Sequence, residues 1–191
     1  MARKLIFVTG GVRSGKSSFA EELAMHTASI TGGPLHYIAA GQASDDEMLF
    51  RIKRHQKDRD ESGFNWTTWE KPTALHELSE SFKQNDIILL DCLTTLLNNE
   101  FFHSESFNNR EFQHELIYSI KEGIIQILNA CDTLIIVSNE VLNDFLGEKS
   151  ELVLTYGKLL GHLHQFITQL AEEAYLVEAG VPVKMKGEQT A

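Results

Sequence analysis

Gly10-Gly11-Val12-Arg13-Ser14-Gly15-Lys16-Ser17 matches the phosphate-binding pattern G-x-x-x-x-G-K-[ST] at every fixed position. The apolar run at residues 5–9 predicts a buried strand before it, and residues 18–24 have the spacing of a helix after it. A glycine-rich turn formed by chance has no reason to stand between a strand and a helix, so this context favours a phosphate-binding loop. We expect Lys16 to reach the β- and γ-phosphates of a nucleotide and the Ser17 hydroxyl to bind Mg²⁺.

The size and charge of the chain limit what it binds. Its 191 residues, 42% of them hydrophobic and 23% charged, are enough for one domain over residues 1–191. The net charge of -10 disfavours nucleic acid as a partner, because phosphate backbones select basic surfaces. A nucleotide needs only a local positive site and is still compatible with this charge.

The sequence favours a cytoplasmic location. The first strand begins at once, which leaves no room for a signal peptide, and no apolar run approaches the roughly 20 residues of a membrane span. Cys92 and Cys131 show neither the spacing of a disulfide framework nor that of a metal site. We therefore expect two buried, reduced thiols, as in a reducing compartment.

Strand-like and helical segments alternate along the chain. Apolar runs predict strands at 5–9, 35–40, 87–91 and 134–138, with a closing pair at 174–177 and 181–185. Helical spacing predicts helices at 18–24, 45–59, 72–82, 110–129 and 151–171. This alternation indicates an α/β fold: a mostly parallel sheet with helices on both faces and a closing antiparallel strand near the C-terminus. Ligands in such folds bind at the carboxyl ends of the strands, where the glycine loop, Asp91, Asn139 and Glu140 fall.

Asp91 ends a wholly apolar strand, which is the usual setting of an acid that holds Mg²⁺ next to a phosphate loop. The alternative is a carboxylate that only caps the following loop. Thr94 and Thr95 follow closely, and their hydroxyl groups are either further contacts or structural turn residues.

His55 stands among five basic residues, Arg51, Lys53, Arg54, Lys57 and Arg59. This grouping predicts a positive patch that holds a polyphosphate and helps to keep the imidazole neutral. A neutral imidazole is a fair nucleophile, so His55 is a candidate for attack on an α-phosphate. The alternative is a solvated basic helix face with no chemical role.

Several motifs together resemble the bifunctional adenosylcobinamide kinase/adenosylcobinamide-phosphate guanylyltransferase family. The glycine loop is similar to the family's G-G-x-R-S-G-K-S, in which Arg13 is more specific than a generic phosphate loop. Further motifs follow in the family's order: 37–40 (YIAA), 45–48 (DDEM), 51–55 (RIKRH), 66–72 (W-x-x-x-E-K-P), 90–95 (LDCLTT), 137–141 (VSNEV) and 180–184 (G-x-x-x-K).

The resemblance implies a P-loop NTPase fold similar to RecA-like proteins and two reactions of cobalamin biosynthesis. In the first, the γ-phosphate of ATP or GTP is transferred to the hydroxyl of adenosylcobinamide. In the second, GMP passes from GTP to adenosylcobinamide phosphate through a guanylylated histidine, which corresponds to His55. The family is typically trimeric, which implies a homo-oligomer here.

The resemblance also assigns nucleotide contacts to individual positions. These are Gly10, Gly11, Val12, Arg13, Ser14, Gly15, Lys16, Ser17, Ala39, Ala40, Gly41, Gln56, Lys57, Asp58, Arg59, Glu70 and Asp91. Lys16 and His55 are the expected catalytic residues, and Ser17 and Asp91 the expected Mg²⁺ ligands.

The chain departs from the family pattern in two places. Residues 157–165 (GKLLGHLHQ) stand where better-known members have R-D-x-x-G-R-x-N-Q, and Val141 is followed by Leu142 rather than Gly. We expect His162 and His164 in the first stretch to face solvent. These departures keep two alternatives open: a small-molecule kinase without the GMP-transfer step, and a RecA-like module that holds nucleotide and regulates a partner.

Overall fold

Seven strands form one sheet in a computed structural model that describes residues 3–41, 46–103, 109–140 and 151–188. The strands are β1 (Lys4–Gly10), β2 (Leu35–Ala39), β3 (Trp66–Glu70), β4 (Ile87–Asp91), β5 (Thr133–Asn139), β6 (Glu173–Glu178) and β7 (Val181–Lys186). Their order across the sheet is β3-β2-β4-β5-β1-β6-β7. All neighbours are parallel except β6 and β7, which form the predicted antiparallel closing pair. The predicted fold class is confirmed.

Helices cover both faces of the sheet. They are α1 (Lys16–Thr31), α2 (Asp46–Asp60), α3 (Leu93–Phe102), α4 (Arg110–Ala130) and α5 (Glu151–Leu170). Alternate residues of each buried strand point to opposite faces, so the core has two halves. On one face Ile6 and Val8 of β1 pack against the alanines of α1. On the other face Leu5 and Phe7 join a larger cluster with α3, α4 and α5.

The sequence-based prediction missed two elements, β3 and α3, and assigned the wrong type of helix to a third. Strand β3 escapes detection because it lies at the sheet edge and is mostly polar. Helix α3 follows β4 after a single residue, so its first residues fall within the motif at 90–95 and were not recognised as the start of a helix. The helix predicted at 72–82 is instead a short 3₁₀ helix, Leu75–Ser81, because Ala74 adopts a left-handed backbone (φ 54°) that interrupts helical geometry.

The strand registers align the carboxyl ends that carry the candidate site. Ala39 lies opposite both Glu70 and Asp91 on its two neighbouring strands. Gly10, the last residue of β1, lies opposite Asn139, the last residue of β5. The sequence motifs at these strand ends therefore meet at one edge of the sheet, as predicted for a parallel α/β fold.

Candidate nucleotide-binding site

A cavity of about 810 Å³ opens at this edge of the sheet, which is within the usual size of a small-molecule site. It is lined by Lys16, Ser17, Tyr37, Ala39, Gly41, Leu49, Ile52, Lys53, His55, Gln56, Arg59, Thr68, Glu70, Pro72, Asp91, Cys92, Thr95 and Asn139. The lysine of the glycine loop, the strand-end acid and the candidate nucleophile thus share one cavity.

The glycine loop connects β1 to α1 in the conformation its sequence demands. Gly15 has a φ of 91°, which only glycine adopts without strain, and it stands immediately before the first residue of α1. Lys16 is buried, and its Nζ donates to the carbonyl oxygen of Gly11 at 3.0 Å. Lys16 and Ser17 line the cavity, and the helix N-terminus beside them favours an anionic ligand.

The turn between β6 and β7 packs directly on the glycine loop. The Gly180 N–H donates to the carbonyl oxygen of Ser14 at 2.8 Å. A Cβ added at Gly10 would lie 2.3 Å from the carbonyl oxygen of Val177, so this position has room only for glycine. The C-terminal hairpin is therefore a structural support of the loop.

Asp91 ends β4 with one carboxylate oxygen held in place. Tyr37 donates its hydroxyl to Asp91 Oδ2 at 3.1 Å, and burial raises the pKa of Tyr37 so that it keeps its proton. Asp91 and Ser17 both line the cavity. An aspartate oxygen and a serine hydroxyl, completed by nucleotide phosphates and water, are the hard oxygen donors that Mg²⁺ prefers, so the residues present fit the ion.

His55 lies beside a buried carboxylate that the sequence did not reveal. Its Nδ1 is 3.6 Å from Glu21 Oε1, and the same oxygen accepts from Arg59 at 3.0 Å. The Arg59 guanidinium also stacks on Tyr37, 3.7 Å from the ring centre. Glu21 raises the pKa of His55 despite partial burial, which acts in the opposite direction. The expectation that neighbouring cations keep His55 neutral is wrong, because the effect of Glu21 on the pKa is larger than that of Arg59 and opposite in direction.

The predicted positive patch around His55 is not one surface. Arg54 pairs with Asp58 at 3.8 Å, and Lys57 pairs with Glu61 at 3.6 Å, both in exposed i,i+4 contacts. Arg59 points inward to Glu21, and Lys53 lines the cavity. The side chain of Arg51, the fifth member, lies outside the described residues, as does that of Met48 in the same motif series. Helical geometry distributes the basic run over several faces of α2.

The other predicted nucleotide contacts divide into two groups. Ala39, Gly41, Gln56 and Glu70 line the cavity together with the residues above. Ala40 is buried, with its N–H bonded to the Asp91 carbonyl at 3.2 Å, and Lys57 and Asp58 are exposed. Gly10 to Gly15 belong to the glycine loop but are not among the residues that line the cavity. The functional assignment of all these residues stays a prediction.

A buried polar cluster lies beneath the site. Ser138 Oγ is 2.8 Å from His164 Nε2 and 2.9 Å from Thr94 Oγ1, which accepts from the Asn139 N–H at 2.8 Å. Burial lowers the pKa of His164 to about 4. The expectation that His164 faces solvent is wrong, because this side of α5 packs on Phe7, whereas His162 is exposed as expected.

The structure also tests the expectations for the two cysteines and for membrane-spanning helices. Cys92 and Cys131 are free and buried, as predicted. Burial raises the pKa of Cys92, so this cavity residue is a protonated thiol rather than a competing nucleophile. The departure at Val141 and Leu142 lies outside the described residues. None of the helices in the described part of the chain is long and apolar enough to cross a membrane.

The chain matches a family model and is similar to known proteins over almost its whole length. The model of the cobinamide kinase / cobinamide phosphate guanyltransferase family matches residues 6–185. The chain is 33% identical over 189 residues to the bifunctional adenosylcobalamin biosynthesis protein CobU of Escherichia coli, with 95% of this chain and 99% of that protein covered. It is 34% identical over 185 residues to the bifunctional adenosylcobalamin biosynthesis protein CobP of Pseudomonas aeruginosa, with 95% and 96% covered.

The chain is also similar to solved structures, at a lower sequence identity. The flagellar accessory protein FlaH of Methanocaldococcus jannaschii is 16% identical with a TM-score of 0.48, and 97% of this chain and 79% of that chain are covered. The KaiC-like protein PH0186 of Pyrococcus horikoshii is 15% identical with a TM-score of 0.44, with 91% and 70% covered.

Proposed function

Because the chain belongs to the cobinamide kinase / cobinamide phosphate guanyltransferase family, we propose that it carries out both reactions in the single domain of residues 1–191. In the first, adenosylcobinamide is phosphorylated by ATP or GTP. In the second, adenosylcobinamide phosphate accepts GMP from GTP, giving adenosyl-GDP-cobinamide and pyrophosphate. The observation that carries this proposal is one cavity lined by Lys16, His55 and Asp91.

The transfer of GMP needs a nucleophile, and His55 supplies it. Its Nε2 lone pair forms a bond to the α-phosphorus of GTP while the bond from that phosphorus to the oxygen bridging the β-phosphate breaks. Pyrophosphate leaves with the electron pair. The phosphate of adenosylcobinamide phosphate then attacks the same phosphorus and frees the imidazole.

The kinase step uses the glycine loop. The substrate hydroxyl oxygen forms a bond to the γ-phosphorus while the bond from that phosphorus to the β–γ bridging oxygen breaks. The nucleoside diphosphate leaves with the electron pair, and the hydroxyl proton passes to water. Lys16 stabilises negative charge on the phosphates, while the backbone of the loop positions them. Ser17 and Asp91 are the residues that would hold Mg²⁺, an ion that neutralises phosphate charge when bound.

Two variants test the assignments separately. With GTP labelled at the α-phosphate, we expect an acid-labile protein adduct in the parent and none in His55→Ala. With labelled ATP or GTP, we expect Lys16→Ala to lose phosphorylation of adenosylcobinamide. Undiminished labelling of His55→Ala would show that another residue is the nucleophile, and undiminished phosphorylation by Lys16→Ala would remove the loop from the kinase step.

Product analysis distinguishes this proposal from its alternatives. The altered stretch at 157–165 favours a kinase without GMP transfer as the second candidate, and that enzyme would stop at adenosylcobinamide phosphate. A nucleotide-dependent regulatory module would form neither product from GTP and adenosylcobinamide. Adenosyl-GDP-cobinamide as the final product supports the bifunctional enzyme.

The proposal extends to the setting of the enzyme. Two buried free thiols suit a reducing cytoplasm. Val181, Val183 and Met185 of the edge strand β7 are 61%, 49% and 66% exposed, and a homotrimer would cover such a surface. Light scattering after gel filtration measures the assembly, and a monomer at micromolar concentration would contradict the trimer.

A further inference from the structure

Glu21 is a buried carboxylate that forms no bond in either proposed reaction. It lies on α1 one turn after Ser17, and its side chain is 8% exposed. A carboxylate so deeply buried is costly unless it is paired, and a single oxygen of Glu21 meets both Arg59 at 3.0 Å and His55 at 3.6 Å.

Arg59 fixes the carboxylate. Its guanidinium is itself buried and is clamped between Glu21 and the ring of Tyr37. Tyr37 in turn donates to Asp91. The chain of contacts from Glu21 through Arg59 and Tyr37 to Asp91 therefore connects α1, α2, β2 and β4, and leaves the Glu21 oxygen little freedom to move.

The position of this oxygen decides which ring nitrogen of His55 can react. A carboxylate beside Nδ1 favours the tautomer that carries its proton there. The lone pair is then on Nε2, the ring nitrogen on the side away from Glu21. His55 also lines the cavity and its Nδ1 is buried, which leaves Nε2 as the nitrogen for an incoming phosphate.

We propose that Glu21 is a positioning residue for guanylyl transfer, which orients His55 through Nδ1 and balances the charge of the N-guanylylated ring. This inference rests on the proposed function. When Nε2 bonds to the α-phosphorus and pyrophosphate departs, the Nδ1 proton stays on the ring, and the imidazole gains a positive charge. The adjacent carboxylate stabilises that charge without taking part in bond making.

The simpler interpretation is an ion pair between Glu21 and Arg59 that only joins α1 to α2. The two interpretations differ in their effect on His55. A purely structural pair leaves the rate of guanylylation unchanged when the Glu21 charge is removed, whereas a positioning carboxylate slows it with little effect on GTP affinity. The charged groups that face His55 are Glu21 on α1, Arg59 on α2 and Asp91 on β4.

The test compares Glu21→Gln with Glu22→Gln, an exposed acid next to it on the same helix. Glutamine keeps an oxygen for Arg59 but removes the charge. Three quantities are measured on the full chain: the His55 pKa by NMR of labelled histidine, the pH dependence of single-turnover labelling by α-labelled GTP, and the GTP dissociation constant. Circular dichroism and thermal unfolding verify the fold.

In Glu21→Gln we expect the His55 pKa to fall, because its main stabilising anion is gone. The acid limb of the labelling rate then moves to lower pH. The maximal rate falls on the order of 100-fold, with a much smaller change in GTP affinity. Glu22→Gln is expected to match the parent in all three. If Glu21→Gln does not fold, Glu21→Asp tests the same point, since it keeps the charge but draws it back and should slow labelling.

A parental labelling rate in the folded variant, whatever the His55 pKa, overturns the role of Glu21. The proposed function fails in a different way, since the parent then forms no adduct or His55→Ala forms it equally well. That outcome also removes the reaction that Glu21 would serve.

Discussion

Acidification should destabilise this protein through one buried imidazole, His164. Burial lowers its pKa to about 4 in the folded chain, against about 6.5 in an unfolded chain. At pH values between these two pKa values, the imidazole is protonated in the unfolded state but not in the folded state. The free energy of unfolding therefore falls as the pH falls. The two pKa values place the loss between pH 7.5 and 5 at roughly 2 kcal/mol.

The cause of this penalty is local. The imidazole is 9% exposed, contacts the edge of the Phe7 ring and has Ser138 as its polar partner. Neither group compensates a positive charge. A proton on the ring is therefore unfavourable in the folded state.

Urea unfolding at pH 7.5 and 5 measures the effect, with His164→Gln as the variant and His162→Gln as its exposed control on the same helix. Glutamine retains a hydrogen-bonding group for Ser138 but does not titrate. We expect His164→Gln to lose about 2 kcal/mol less between the two pH values than the parent and the control do. His36, whose pKa burial also lowers, contributes equally to all three chains. Equal losses in parent and variant would refute a buried neutral His164.

Two further changes probe the loop and the strand-end acid. Gly10→Ala places a methyl group 2.3 Å from the Val177 carbonyl oxygen, so we expect a loss of about 1 to 3 kcal/mol in the free energy of unfolding by urea and GTP binding that is weaker by at least several-fold. Gly11→Ala meets no atom within 4 Å and should leave the free energy of unfolding nearly unchanged. Equal losses of stability in the two variants would contradict the support given to the loop by β6. Tyr37→Phe removes the hydrogen bond to Asp91 but keeps the ring under the Arg59 guanidinium. We expect the free energy of unfolding to fall by about 1 to 2 kcal/mol and the labelling reaction to need a higher Mg²⁺ concentration. An unaltered Mg²⁺ titration would argue against a role for that hydrogen bond.

The fold was predictable because its signals are local. A glycine loop between a strand and a helix, and apolar strands alternating with helices, determine the α/β class and the edge where ligands bind. The same rule places Lys16 and Asp91 at this edge, whereas His55, which lies within α2, was a candidate because of its basic neighbours and the family resemblance. The polar edge strand β3 and the 3₁₀ helix escaped because neither has the apolar periodicity of a longer buried element.

The electrostatics of the site were not predictable in the same way. Charges close in sequence suggested that His55 has a cationic environment, whereas the decisive neighbour is Glu21, which lies 34 positions earlier in the chain (55 − 21). One sequence signal pointed to it: Glu21 adjoins the buried face of α1 marked by Ala20 and Ala24, where an acid is unusual. The partner Tyr37 gave no such signal, since an aromatic residue in a buried strand is ordinary.

The position of β1 in the sheet also determines when the nucleotide site is completed during synthesis. This strand lies between β5 and β6, and its loop is fastened by the turn after β6. Strand β1 is therefore translated before its partner β6, which follows about 160 residues later, and at about 5 to 20 residues per second this takes roughly 10 to 30 s. Until β5 follows, about 130 residues after β1, the apolar β1 has neither neighbour, so the nascent chain presents a hydrophobic segment for a chaperone to protect.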